Sequence, residues 1–233
     1  MAVSIDTVYQ RVLAILNKEQ RGYLTPQEFN LFANQAQMDI FEQYFYDIEQ
    51  FGLLHGNDTE YSDMLNILNE KISLFEKTVN LTYSSSTSYW SLPSDLYRLG
   101  TIIYSGNEVE RVNKNEYLYI TSSPIAAPTA DFPIYIKDID GIKAYGPTEI
   151  DDSVESLKCN YIKKPTKVEW KYQIVYGEAL YDATYSVNFE LHPSEEVELV
   201  TKILALAGVL VRDLSVYQLA TQEDAMDIQQ QKS

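Results

Sequence analysis

The stretch from Thr25 to Phe51 constrains the fold more than any other. It opens Thr-Pro-Gln-Glu-Phe, a compact helix start. Thr25 can cap the free N–H groups of the first turn, Pro26 suits the first helical position, and Glu28 completes a capping box. Leu24 and Phe29 have the spacing of a hydrophobic staple. Phe29, Phe32, Ala33, Ala36, Ile40, Tyr44, Ile48 and Phe51 then recur every three or four residues and fill one broad arc of a helical wheel. Glu28, Asp39, Glu42 and Glu49 fall on the opposite side, with Asp47 the exception. A helix of this span is about 40 Å long, so it is expected to act as a spine for neighbouring elements.

The segment Asn17–Glu28 also overlays a calcium-loop template, with Gly22 at position six and Glu28 at twelve. Position five is Arg21, however, and a guanidinium cannot ligate a cation. The expectation is a helix–turn–helix start without metal.

Periodicity extends the helical reading on both sides. Ile5, Val8, Val12, Ile15 and Leu16 predict a first helix over 5–16, His55–Asp58 reads as a turn, and a third helix is expected over 59–77. The texture changes at Val79 to short β-like runs: 79–83 and 89–92 around Ser-Ser-Ser-Thr-Ser, 99–104 and 108–112 around Ser-Gly-Asn, and 134–137 and 142–145 around Asp-Ile-Asp-Gly. Leu92–Tyr97 reads as a single helical turn, Asn113–Ile120 as ambiguous, and Thr121–Pro133 as a loop. Further β-like runs follow at 157–162, 168–172 and 174–176. Pro193, Glu195, Glu196 and Glu198 start another helix, apolar nearly all round and expected to run to Arg212 and to be buried on several sides. A short helix is expected over 214–225, before a frayed end.

Element order makes the chain α+β: an N-terminal helical hairpin or bundle, an antiparallel β middle, and a C-terminal helix packed back on the bundle. The expected parts are 1–78, 79–190 and 191–233, with the helical parts forming one domain into which the β region is inserted.

Composition narrows the function classes. With 45% hydrophobic and 22% charged residues the chain is of ordinary globular type. No apolar run is long enough for a membrane span, and the start, MAVSIDTVYQ, lacks the basic and apolar regions of a secretory signal. Cys159 is the sole cysteine, so folding in a reducing cytoplasm is expected. The net charge of −16 opposes non-specific DNA binding. Charge is also unevenly spread: 22–70 holds nine acids and no Lys or Arg, whereas 158–171 holds five lysines against Glu169. Such patches are either solvated faces or surfaces facing a charged neighbour or an aqueous channel. The 19 tyrosines suit half-buried surfaces and wet interfaces.

No catalytic constellation emerges. The only histidines, His55 and His192, sit at a turn and a helix start, and there is no P-loop, G-x-G-x-x-G, G-x-S-x-G or paired Cys/His. Asp138, Asp140, Glu149, Asp151, Asp152 and Glu155 form an acidic stretch of the solvated kind, and nothing singles out a carboxylate pair for hydrolysis. The expectation is no enzyme, no cofactor and no metal.

The order of several segments carries a resemblance. LPSDLYRLGTIIYSGNEVERV (92–112), FPIYIKDIDGIKAYGP (132–147), LKCNYIKKPTKVEW (157–170) and FELHPSEEVELVTKILALAGVLVRD (189–213), after LTPQEFNLFANQAQMDIFEQYF, resemble the head–tail connector proteins of tailed bacteriophages. More narrowly, they are similar to the ring or adaptor proteins of short-tailed phages, including the crAss-like group. The resemblance spans most of the chain and implies a structural virion protein of the tail or neck, assembled in the host cytoplasm. It implies a homo-oligomeric ring of twelve copies against the portal and neighbouring tail proteins, with DNA passing through the channel without specific binding and no membrane partner. Subunit contacts are expected at the acidic stripe Glu28, Asp39, Glu42 and Glu49 and at the basic cluster Lys158, Lys163, Lys164 and Lys167. Two other readings stay open: a tail- or fibre-associated module binding a cell-surface glycan through its tyrosines, which an aromatic platform beside polar side chains would favour, and a hydrolase, which two carboxylates converging in a deep cleft would favour.

Overall fold

The computed structural model describes residues 3–18, 24–53, 59–153, 155–176 and 178–210. In chain order these form α1 (Ile5–Lys18), α2 (Pro26–Leu53), α3 (Thr59–Ser73), β1 (Glu76–Asn80), β2 (Thr82–Ser84), β3 (Tyr89–Ser91), β4 (Leu96–Tyr104) and β5 (Asn107–Arg111). Then come α4 (Lys114–Ser122), β6 (Ile134–Lys137), β7 (Ile142–Tyr145), β8 (Lys158–Lys163), β9 (Tyr172–Val175), β10 (Glu178–Tyr181), a 3-10 turn (Pro193–Glu195) and α5 (Glu196–Leu210). The fold is α+β, as element order requires. Two compact units divide it: a helical unit of residues up to Leu74 together with those from Pro165 on, and a sheet unit of Phe75–Lys164.

In the helical unit α2 is the spine. Its cap forms as the residue types dictate: Thr25 N–H donates to Glu28 Oε2 at 2.9 Å, and Glu28 N–H donates to Thr25 Oγ1 at 3.3 Å. The buried arc is wider than the sequence periodicity suggests. Phe29, Ala33, Ala36, Ile40 and Tyr44 are joined by Gln37, Phe41 and Phe45, while Phe32 and Ile48 are only half-buried. Helix α5 packs back on α1 and α2, burying Leu199, Val200, Ile203, Leu204 and Ala207 but leaving Val197 exposed.

The chain after Pro165 packs on α2 by an unusual device. Asn30, Asn34 and Gln37, spaced along one ridge of the helix, clamp the extended backbone of Thr166–Trp170. Asn34 accepts from Val168 N–H at 2.9 Å and donates to Val168 C=O at 2.8 Å. Asn30 does the same to Trp170 at 2.8 and 3.3 Å, and Gln37 donates to Thr166 C=O at 2.9 Å. The β-like run expected at 168–172 therefore satisfies much of its backbone from helix side chains; strand β9 starts only at Tyr172, and Glu169 makes an isolated bridge to Val187. This is why residues 165–190 join the helices.

The sheet unit holds eight strands in the order β1-β8-β4-β5-β6-β7-β3-β2. Every pair is antiparallel except β5–β6, which α4 separates in sequence. One face buries Leu81, Trp90, Ile102, Val109, Tyr135, Ile142, Ala144, Leu157, Cys159 and Tyr161. Trp90 anchors that core, its indole N–H donating to Ile150 C=O at 3.0 Å. Gly141, at φ 143°, leads into β7 beside β3, and a Cβ there would clash with the Trp90 carbonyl oxygen.

The sequence expectations differ from the structure in places. The third helix ends at Ser73 rather than 77, because the chain turns at Leu74–Phe75 and pairs with β8 from Glu76. The single turn expected over Leu92–Tyr97 is confined to Pro93–Leu96, where Leu96 N–H donates to Pro93 C=O, and β4 already begins at Leu96. The ambiguous 113–120 run is a helix, opened by Glu116 accepting from both the backbone and the side-chain amide of Asn113. The turn at 55–58, the helix at 214–225, the end of α5 at 212 and residues 19–23 of the calcium-like loop lie outside the described residues.

Candidate functional site

The eight residues proposed for subunit contacts fall as follows. Glu28, Asp39, Glu42 and Glu49 all lie on α2. Glu28 is engaged in the cap, which holds its carboxyl below the usual range through hydrogen bonds from Thr25. Asp39 is raised, first by desolvation and also by the charge of Glu42, against the opposing pull of Lys202 on α5.

The lysines are more divided. Lys158 and Lys163 are five residues apart on the regular strand β8, so their side chains leave opposite faces of the sheet. Lys158 lies 4.0 Å from Glu155, and Lys163 is half-buried. Lys164 ends the sheet unit, whereas Lys167 belongs to the helical unit. Beside it Lys171 is paired with Glu169 at 2.7 Å.

Two other clusters, neither singled out by the sequence, are better defined. The first is a cleft of about 440 Å³ in the sheet unit. Strand alternation builds its floor: Trp90, Tyr135, Ile142 and Ala144 point into the core, so Tyr89, Ile136, Lys143 and Tyr145 stand on the other face. Helix α4 supplies the wall with Lys114, Asn115, Tyr117 and Leu118, and Asp138 closes one end. The Tyr117 and Tyr145 rings lie 4.6 Å apart at 37°. Asp138 Oδ2 accepts from Lys114 Nζ at 2.7 Å and from Tyr89 O–H at 3.3 Å, and these bonds with Ile139 N–H hold its carboxyl below the usual range. Lys143 Nζ sits over the Tyr89 ring, 4.6 Å from its centre. The Tyr145 phenol is pushed up to about 12 by burial and then by Tyr117, so it remains a neutral hydroxyl.

The second cluster lies in the helical unit, where Glu195 is buried at the start of α5. Its Oε1 is 2.6 Å from Lys71 Nζ. Burial raises the Glu195 carboxyl, but hydrogen bonds from Lys71 and Glu198 and the charge of Lys71 outweigh it and leave it lowered. Glu198 moves the other way, up to about 7, through burial and then the neighbouring Glu195, with Lys202 opposing. Tyr44 is raised by burial and by both carboxylates. Two carboxylates do converge here, but on one another, and neither lines the tyrosine cleft.

Among the described residues no group of three or more His, Cys, Asp or Glu side chains could hold a metal ion, and no helix is long and apolar enough to cross a membrane. Cys159 is buried in the sheet core, which pushes its thiol up to about 11. The chain matches no protein-family model and no curated protein.

Proposed function

We propose that this chain is a structural virion protein, a head–tail connector ring subunit that joins portal to tail and surrounds the DNA exit channel in twelve copies. The observation that carries the reading is the tip of the β9–β10 hairpin. Tyr176 stands there fully exposed at φ 53°, a conformation that favours Gly or Asn. It adds nothing to the core of its own unit, and Ile174, Leu180 and Tyr185 nearby in sequence are also exposed. A bulky aromatic in a strained, solvated position fits contact with a partner. The sheet unit has its own exposed set in Leu118, Tyr119, Ile125 and Phe132. A ring subunit needs two such surfaces, because its contacts are heterologous. The net charge of −16 suits a channel protein past which DNA slides without sticking.

Immunogold labelling of the virus particles tests the location: gold is expected at the neck, between head and tail. Gold at fibre tips instead would favour the cell-surface binding module, and unlabelled particles would refute a virion role. Tyr176→Asn is expected to fold as well as the wild type while entering particles at less than about half the wild-type occupancy, since aromatic anchors dominate interface energies. Normal incorporation of that variant would remove the hairpin from the argument.

A further inference from the structure

We infer that the cleft between α4 and the sheet is a binding site for an acidic saccharide, with one sugar ring seated on the tyrosines and its carboxylate on Lys143. The inference goes beyond the connector reading and does not depend on it. Small-molecule sites are concave, lined mainly by apolar and aromatic side chains, and carry a few convergent polar groups within a few hundred Å³; the 440 Å³ cleft, with three tyrosines, Leu118 and Ile136 beside four polar residues, is of this kind. A pyranose has a C–H face and a hydroxyl rim. Tyr117 and Tyr145, with rings 4.6 Å apart, offer the matching apolar wall, and Leu118 and Ile136 extend it.

The polar inventory selects the charge of the ligand. Lys114 and Asp138 are committed to each other at 2.7 Å. Lys143 is different: among the described residues its contact is the Tyr89 ring, and no carboxylate lies within ion-pair distance. Its three N–H donors, together with the exposed Asn115 amide, give the cleft a surplus of donors. An acceptor-rich, anionic ring is the complement.

The competing occupants fit less well. An extended peptide would need a free sheet edge, but β6 and β7 are both paired on each side, within β5-β6-β7-β3. A nucleic-acid backbone would need several uncommitted cations, and the cleft has one.

The test uses the full chain with two probes that share a ring and differ at one carbon, glucuronic acid and glucose, read by saturation-transfer and chemical-shift NMR. Glucuronate is expected to saturate with a Kd of about 1 mM. Glucose should bind about tenfold more weakly, the worth of one charge-assisted hydrogen bond. Lys143→Gln, a partly exposed site that leaves the core untouched, should bring glucuronate down to the glucose level. Tyr117→Ala should abolish both. The proposal is overturned if neither sugar saturates by about 50 mM, if the two bind equally, or if Lys143→Gln leaves the glucuronate affinity unchanged. Particle labelling for the connector reading is scored separately, so either reading can fail while the other stands.

Discussion

A lysine, a carboxylate and a tyrosine meet in both units of this chain, with opposite outcomes. In the helical unit Lys71 lies 2.6 Å from Glu195 and 5.5 Å from the centre of the Tyr44 ring. In the sheet unit Lys114 lies 2.7 Å from Asp138, and Lys143 sits 4.6 Å from the centre of the Tyr89 ring. Distances and partners are nearly the same; the solvent is not. The Lys71 and Glu195 side chains are 21% and 4% exposed, against 63% and 30% for Lys114 and Asp138. Water screens the second set, so its pairing adds little to folding, whereas in the first each charge depends on the other. The same three side-chain types, with a second lysine in the sheet unit, therefore make a fixed strut in one unit and a ligand surface in the other.

The largest expected effect breaks the strut. Lys71→Met keeps the aliphatic stem but strands the Glu195 carboxylate in a buried place. Removing one partner of a buried pair costs about 3 kcal/mol or more. A urea titration should show the loss as a lower midpoint with an unchanged slope, and Lys71→Arg should restore most of it. A Lys71→Met protein with the wild-type midpoint would mean that Glu195 is solvated after all, and the contrast between the units would disappear.

The next effect is a pH dependence of the same strut. Glu198 has a folded-state pKa of about 7, above the ordinary carboxylate value near 4.5, so between those pH values the folded protein holds a proton that the unfolded chain has lost. Folding stability contributed by this group is therefore greatest below the unfolded value and falls as pH rises through 7. Glu195 works in the other sense: its lowered carboxyl contributes stability above the unfolded value, lost as pH falls. Glu198→Gln should flatten the decline between pH 5 and 8 and raise stability at pH 8 by about 1–3 kcal/mol. Parallel stability–pH curves for wild type and variant would show that Glu198 ionises as an ordinary surface acid.

The two clusters also differ in how far the sequence reveals them. Local signals survive folding well. The Thr25–Glu28 box, the spine helix and the 134–137/142–145 hairpin form where the residue types place them, because each depends on neighbours a few positions away. The tyrosine cleft could not be read that way, since its rings come from β3, α4 and β7 and meet only once strand order is set. The Asn113–Glu116 box at the head of α4 was a legible signal, outweighed by the β-like texture around it. Asn30, Asn34 and Gln37 were legible in spacing but not in purpose: amides beside an apolar arc read as its polar flank until an extended segment lies along them. The lysine cluster shows the reverse case. Closeness in sequence suggested one patch, but a strand sends Lys158 and Lys163 to opposite faces.

The smallest expected effect completes the contrast. Lys114→Gln removes the partner of Asp138, as Lys71→Met removes that of Glu195, but both ends of this pair stand in water. Asp138 also keeps the Tyr89 hydroxyl and the Ile139 N–H as donors. Thermal and urea midpoints should therefore match the wild type within error. One readout should still move: the Asp138 carboxyl, held down first by the Lys114 hydrogen bond and then by Ile139, should rise toward the ordinary carboxylate range in an NMR titration. That pairing of a shifted titration with an unshifted midpoint is the mark of a site whose charges are set by their neighbours yet not needed for folding, as a ligand cleft requires. A drop in midpoint comparable to that of Lys71→Met would make the Lys114–Asp138 pair a second strut, and the cleft a by-product of how α4 is fastened to the sheet.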